Sequence, residues 1–381
     1  MSRLEELIQE LCPNGVEYKP LSDKTLFAFR YGKGNKIPED TGGQYDVYGA
    51  NGIVSHIDEY NCEDVTIIGH IGAVGLINRV KGKCFVTYNG TIATVVDKEK
   101  VDSQYLYYVL TTLDLPSRKK GSQPFLSVSD FDKIAIPVPP LEVQREIVRI
   151  LDSFTLLTAE LTAELTARKK QYQHYLNSFF ENQTDNLVPL SSLGTITRGK
   201  RFVHADATET GVPCIHYGEL YTFYGVHANT VKSHIREELR PKMRYAHKGD
   251  VIIVGAGENN IDIGVGVAWE GNEDVAVHDA CYTLCHSQNS KYISFYLRSD
   301  MYHNQIKKYV SEGKVCSISA TGLGKAMIPL PSITEQERIV SILDRFDSLC
   351  NDISIGLPAE IEARQKQYEY YRDKLLTFKQ L

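Results

Sequence analysis

The sequence has no surplus of one charge: 42 Lys and Arg stand against 48 Asp and Glu, a formal net charge of −6. That excludes a strongly basic, free-standing nucleic-acid binder. No segment hides a basic block either. Residues 1–135 carry −3, 136–180 carry 0, 186–327 carry +1 and 328–381 carry −2. Any grip on phosphate would come from local loops or from a partner. Long hydrophobic runs are also missing. The start, MSRLEELIQEL, is acidic and amphipathic rather than signal-like. The least polar stretch, Val65 to Ile77, is glycine-rich, carries His70 and is too short to cross a bilayer. The eight cysteines show no disulfide spacing and no CxxC pair, which fits reduced thiols in the cytoplasm. Cys281, Cys285 and His286, with His278 upstream, raise the question of a metal. The passage AVHDACYTLCH alternates like a strand, however, and reads as buried free thiols on one face, so no metal is expected. Catalytic signatures are absent as well: there is no NPPF or DPPY segment and no loop ending in GK[ST]. Gly255-Ala256-Gly257 is too short for a dinucleotide fingerprint. Glu312-Gly313-Lys314 matches only a three-residue nuclease fragment with no aspartate partner.

What is present is a duplication. IPVPPLEVQREIVRILDSF at 136–154 returns as IPLPSITEQERIVSILDRF at 328–346, 192 residues later, with ten of 19 positions identical. ARKKQYQHY at 167–175 returns as ARQKQYEYY at 363–371, 196 apart. A chain of 381 residues suits two domains with connectors, and internal repetition constrains architecture more than any single residue does. Each repeat follows a strand-rich globule. Weaker echoes tie the globules together: YKPLS with LVPLS, FRYGKG with TRGKRF, EDVTIIG with GDVIIVG, and GSQPFLSVSDFDKIAIP with GKVCSISATGLGKAMIP. Helices are expected near 1–12, 103–112 and 291–298. The frame is shared and the presented surface is not.

The repeated segments read as long helices. Ile147, Ile150, Leu151, Phe154, Leu157, Leu161 and Leu165 form an apolar stripe continued by Tyr172 and Tyr175. Ile339, Ile342, Leu343, Phe346, Leu349, Ile353, Ile361 and Tyr368 form its counterpart. Thr334 and Glu337 have the spacing of a capping box, and Gly356 with Pro358 predicts a kink or break. Forty helical residues span about 60 Å, and a lone helix of that length cannot bury its stripe. The two should pack as an antiparallel coiled coil. Two tandem Thr-Ala-Glu-Leu units, at 158–161 and 162–165, keep leucine in phase and add about 6 Å each. The chain end and the chain start supply two parts of one junction, like a circular repeat cut open.

Two variable globules, each followed by an IPxPxxxxQxxIVxILDxF helix, resemble the specificity subunit of a type I restriction-modification system. The Thr-Ala-Glu-Leu repeat and the ARxKQYxxY ends carry the resemblance further, and it covers the whole chain. It implies an α+β fold: two mixed, strand-rich target recognition domains in pseudo-twofold arrangement, separated by two long helices packed as an antiparallel coiled coil. The expected boundaries are 1–135 and 186–327 for the recognition domains, and 136–185 and 328–381 for the spacer helices. It implies a non-catalytic, cytoplasmic subunit that reads a bipartite site on double-stranded DNA, without a membrane. Two methyltransferase subunits would dock on it, with motor-nuclease subunits in the full complex. The chain itself would hold no cofactor. S-adenosylmethionine would belong to the methyltransferase, and ATP and Mg to the motor-nuclease. The rival reading is a duplicated protein–protein scaffold that never touches DNA.

Phosphate contacts call for Lys or Arg on loops, and base contacts for Arg, Lys, Asn or Gln. Residues placed alike in both halves are the candidates. The first loop pair offers Arg30, Lys33 and Lys36 against Arg198, Lys200 and Arg201. The second offers Arg118, Lys119, Lys120 and Gln123 against Lys307, Lys308 and Lys314. Asn259 and Asn260 form a further loop. Ordinary solvated surface charges would look the same. For the helices, the candidate packing or partner-docking residues are Ile147, Leu151, Phe154, Leu161, Leu165, Tyr172, Ile339, Leu343, Phe346, Ile353, Ile361 and Tyr368.

Overall fold

The computed structural model describes residues 2–34, 36–115, 125–183 and 186–381. They divide into two compact units: unit 1 is Met1–Glu160 with Glu362–Leu381, and unit 2 is Leu161–Ile361. Both boundaries fall inside long helices. Mixed sheets and separate helices make the architecture α+β.

Unit 1 is built on a six-stranded sheet in the order Phe27–Tyr31, Gly90–Val95, Cys62–Gly69, Ile77–Val86, Tyr45–Gly49, Gly52–Ile57. Its pairs are antiparallel except Tyr45–Gly49 with Ile77–Val86. The central strands are apolar on both faces because both faces are covered. Ile68 and Ala93 face the large core that includes helix Ser103–Thr112, whereas Ile67 and Ile92 face a smaller core with Val65, Cys84 and Val86. The opening helix Arg3–Leu11 starts with a true capping box, in which Ser2 and Glu5 satisfy each other's backbone N–H groups. Chain start and chain end meet inside this unit. Val16 N–H donates to the Lys379 carbonyl at 2.9 Å and Leu381 N–H to the Val16 carbonyl at 3.1 Å, while Leu376 is buried in the core with Leu4. Phe180, 196 positions before Leu376, is likewise buried in unit 2.

Unit 2 holds two five-stranded sheets. One runs Gly194–Arg198, Cys281–His286, Val251–Val254, Gly266–Trp269, His227–Ala228. The other runs Ala207–Thr208, Ser233–Ile235, Val212–Ile215, Val275–Val277, Tyr245–Ala246. Helix Ser290–Tyr296 packs on the first sheet as Ser103–Thr112 packs on the sheet of unit 1. The passage AVHDACYTLCH, expected as one alternating strand, is two: Val275–Val277 in the second sheet and Cys281–His286 in the first, with a turn at 278–280 between them. Of its thiols, Cys281 is buried and Cys285 is exposed. Period two points both to one face, yet the strand runs past the end of the core.

In each unit the strand-rich part, or head, is fixed to its helical segment by the same joint. Gln144 is fully buried; its amide donates to the carbonyls of Lys100 (2.8 Å) and Pro139 (2.7 Å) and accepts from Asp102 N–H (2.9 Å). Gln336, 192 residues later, donates to the Pro331 carbonyl and the Gln288 side chain (both 3.0 Å) and accepts from Asn289 N–H (3.1 Å). Asp102 and Asn289 are the N-caps of the helices just named. Tyr105 and Tyr292, one turn inside those helices, donate to the carbonyls of Pro137 (3.1 Å) and Pro329 (2.8 Å). Burial pushes both phenols above the ordinary tyrosine range, as befits obligate donors.

The long helical segments are Leu141–Glu181, in one piece, and Ile333–Asn351 followed by Leu357–Leu375. The break foreseen at Gly356 and Pro358 is real. Asp352 caps it by accepting from Ser354 and Ile355 N–H groups, and a Cβ on Gly356 would lie 2.5 Å from the Ser348 carbonyl oxygen. The cap of Ile333–Asn351 is Ser332, accepting from Glu335 N–H at 3.4 Å, rather than the predicted Thr334 with Glu337. Ser332 is extended, with φ −58° and ψ 154°, whereas Thr334 already lies inside the helix.

Within unit 1 the first part of Leu141–Glu181 meets the last part of Leu357–Leu375, Phe154 stacking on Tyr371 with ring centroids 5.5 Å apart. Within unit 2 its last part meets Ile333–Asn351, through Tyr175 with Phe346 (5.1 Å) and the Tyr172 hydroxyl with Asp347 (3.3 Å). Head against tail is the antiparallel sense. The stripe also has a second use. Ile147 and Leu151 are fully buried in the core of unit 1, and Ile339 and Leu343 in that of unit 2, among residues of their own heads. Leu161, Leu165, Ile361 and Tyr368 are half-buried. Ile353 lies in the break and is 80% exposed, so it packs in no helix interface.

Candidate nucleic-acid interface

The first pair of predicted loops is one structural device made twice. In unit 1 the strand Phe27–Tyr31 ends at Gly32, whose N–H donates to the Gly90 carbonyl (2.8 Å), while Lys33 N–H donates to the Val86 carbonyl (2.9 Å). In unit 2 the strand Gly194–Arg198 ends at Gly199, whose N–H donates to the Cys281 carbonyl (3.0 Å), while Lys200 N–H donates to the Val277 carbonyl (2.9 Å). Lys33 bridges Thr87, and Lys200 bridges His278, both in the parallel sense. Only glycine fits before the lysine. A Cβ on Gly32 would stand 2.1 Å from the Thr87 carbonyl oxygen, and one on Gly199 2.2 Å from that of His278. The close approach bends the chain over the turn that follows Ile77–Val86 in unit 1 and Val275–Val277 in unit 2, and leaves Lys33 and Lys200 exposed.

The other candidates on these loops are exposed too. Arg30 donates to the Asn61 carbonyl at 3.1 Å, and Arg198 to the Asp279 carbonyl at 2.6 Å. Lys36 and Arg201 are exposed. Arg244, which sequence reasoning missed, donates to the Arg198 carbonyl at 2.6 Å. No pattern in its own segment marks it, because it arrives from the loop before strand Tyr245–Ala246. In unit 2 the turn behind Lys200 carries His278, and His216, which follows strand Val212–Ile215, lies beside it with ring centroids 4.6 Å apart. Burial holds both imidazoles below the ordinary histidine range, so neither adds positive charge at neutral pH. His278 also touches the Phe202 carbonyl at 3.1 Å and so braces the loop that carries Arg201.

Of the second loop pair, Arg118, Lys119, Lys120 and Gln123 lie outside the described residues. Lys307 and Lys308 sit exposed on the turn Lys307–Tyr309, and Lys314 is exposed between Ser311 and Ser317, which bridge each other. Asn260 donates to Glu312 at 3.0 Å and so ties its loop to that of Lys314, while Asn259 reaches Asp262 at 3.4 Å. The ribbon Ala256–Gly257 with Cys316–Ser317 then carries these loops to Arg198. Arg198, Ala256, Asp279 and Ser317 share the wall of a 220 Å³ hollow. In unit 1 Ile71 bridges Phe125 at the matching place, and the Tyr31 hydroxyl accepts from Val128 N–H at 3.1 Å. In unit 2 these contacts link the loops of Asn259, Asn260 and Lys314 to Arg198. Lys33, Lys36, Lys200, Arg201 and Lys314 sit on loops, whereas Arg30 and Arg198 lie near the ends of strands. Among the described residues no group of three or more His, Cys, Asp or Glu is placed to hold a metal ion. No helix among them is long and apolar enough to cross a membrane.

Comparison with known proteins gives the lineage. The sequence profile of the type I restriction modification DNA specificity domain matches residues 25–168 and again 185–363. A putative type I restriction enzyme specificity subunit from Haemophilus influenzae is 32% identical over 393 aligned positions, covering 98% of each chain. The specificity subunit of the type I restriction enzymes EcoR124I and EcoR124II from Escherichia coli is 35% identical over 316 positions, covering 75% of this chain and 74% of that one. The crystal structure of the type I restriction-modification S subunit from M. genitalium superposes with a TM-score of 0.57 at 15% identity, covering 96% of this chain and 97% of that one, which shows a common fold. With its domain duplicated, its helices repeated and its profile matched twice, the chain belongs to the type I restriction-modification DNA specificity family.

Proposed function

We propose that this chain is the non-catalytic subunit that reads a split sequence on double-stranded DNA, one half-site per head. The heads are taken as 1–135 and 186–327, and the helical segments 136–185 and 328–381 as the spacer between half-sites. The observation that carries the reading is the duplicated Gly-Lys loop. Its backbone is repeated bond for bond, while the side chains beside it differ. A shared frame with unlike faces suits a reader of two unlike sequences, and half-sites on one face of a duplex lie about 34 Å apart. Two methyltransferase subunits would dock on the helices and modify an adenine in each half-site, flipping it into their own pocket with their own S-adenosylmethionine. Motor-nuclease subunits with ATP and Mg would complete a restriction complex in the cytoplasm. With no basic head, these partners would supply much of the attraction for phosphate.

The test is the methylome of cells with and without this gene, in the presence of an expressed methyltransferase partner. The expected result is a bipartite motif, methylated on adenine in both halves, that vanishes on deletion. Unchanged methylation would refute the reading. It would favour the duplicated protein scaffold, which the net charge of −6 suits better.

A further inference from the structure

The residue just before the shared Gly-Lys pair is Tyr31 in unit 1 and Arg198 in unit 2, and the surroundings differ in the same sense. Tyr31 is 43% exposed and Phe125 47% exposed, their ring centroids 6.5 Å apart. Both rest on His70, at 4.9 and 5.4 Å. His70 is itself buried, with its Nδ1 3.0 Å from the Thr91 hydroxyl, and burial keeps it below the ordinary histidine range. Two exposed rings thus stand on a rigid, uncharged base, and Tyr31 is held further by Val128 N–H. In unit 2 the same place is the hollow of Arg198, Ala256, Asp279 and Ser317, which offers hydrogen-bonding groups and no ring beyond Tyr282 in its wall.

Resting on the proposed function, we propose that Tyr31 and Phe125 are a stacking wedge through which unit 1 reads its half-site. A folding role would bury these rings, and their partner is chosen by what surrounds them. Exposed Lys33 and Lys36 follow Tyr31 on the same loop, so the apolar centre has a cationic flank. That combination fits a polyanion that presents flat apolar faces once a step is opened, which is DNA. Wedges of this kind act where stacking is weak, at pyrimidine–purine steps. The half-site of unit 1 should therefore contain such a step, read by its deformability. The half-site of unit 2 should be read through base edges by Arg198.

The experiment uses this chain in complex with its methyltransferase partner and a duplex carrying the methylated bipartite motif. The base analogue 2-aminopurine is placed in turn at each position of the first half-site except the methylated adenine. With the wild-type chain, fluorescence should rise at one step. Tyr31→Ala and Phe125→Ala should each abolish the rise and weaken binding about tenfold or more. Discrimination at the second half-site should stay unchanged, which shows that the variants are folded. Tyr31→Phe should keep the rise. No rise at any position, alanine variants that still discriminate the first half-site, or equal loss at both half-sites would each overturn the wedge. A wild-type complex with no preference for the bipartite duplex would instead overturn the proposed function, and the wedge with it.

Discussion

At the scale of single residues, the buried glutamines decide how the heads are held. The Gln144 amide faces two carbonyl oxygens and one N–H, and only a group with two donors and an acceptor satisfies all three. Gln144→Glu keeps the shape and removes that match. An ionised carboxylate would meet two carbonyl oxygens in a dry site, and a protonated one has a single hydrogen for both. The cost is roughly 2–4 kcal/mol. Hydrogen exchange should therefore accelerate in helix Ser103–Thr112 and stay unchanged in Ser290–Tyr296, where Gln336 makes the equivalent joint. Equal protection of Ser103–Thr112 in variant and wild type would refute this. The sequence marked this glutamine as shared between the repeats but not its task, because the Asp102 N–H that it accepts from lies 42 positions away. Periodicity within a helix does not reach that far. Glycine and lysine in FRYGKG and TRGKRF were legible as an echo for the opposite reason. The close backbone approach permits one residue type, so the constraint is printed in both copies.

At the scale of elements, the helical segments were the most legible part, since a period near 3.6 sustained over tens of residues has few other meanings. The break after Asn351 was legible from Gly356 and Pro358. The allocation of the stripe was not. Ile147 and Leu151 read the same as Leu161 and Leu165, yet the first pair is sealed in a head and the second is half-buried along the rod. A stripe records that something covers it, not what. The Thr-Ala-Glu-Leu units fall in the half-buried stretch, with Leu161 and Leu165 facing inward and Ala159, Ala163 and Glu164 exposed. One further unit keeps leucine in phase and adds about 6 Å of helix, or under two steps of 3.4 Å along a duplex. Such an insertion should lengthen the unread spacer in the methylated motif by one or two base pairs and leave both half-sites unchanged. A changed half-site sequence would show that the rod does not act as a ruler.

At the scale of the whole molecule, duplication lets a head be exchanged if its joint is respected. Residues 186–327 contain Asn289 and Tyr292, whereas their partners Pro329 and Gln336 lie in the repeated helical segment. A substitute head must therefore bring an N-cap Asp or Asn, followed three residues later by Tyr, to the start of its packing helix. The first head already meets this condition with Asp102 and Tyr105. Grafting another family member's head that keeps both residues should replace one half of the methylated motif and preserve the other half and the spacer. The same graft with its Tyr changed to Phe leaves the Pro329 carbonyl, buried in the joint, without its donor. That costs about 1–3 kcal/mol and should lower the yield of folded complex without altering the motif. If the conservative graft changed both half-sites, the heads would not be independent readers. If Phe did as well as Tyr, the joint would owe its strength to packing of the ring among Phe180, Ile339 and Leu343 rather than to the hydrogen bond.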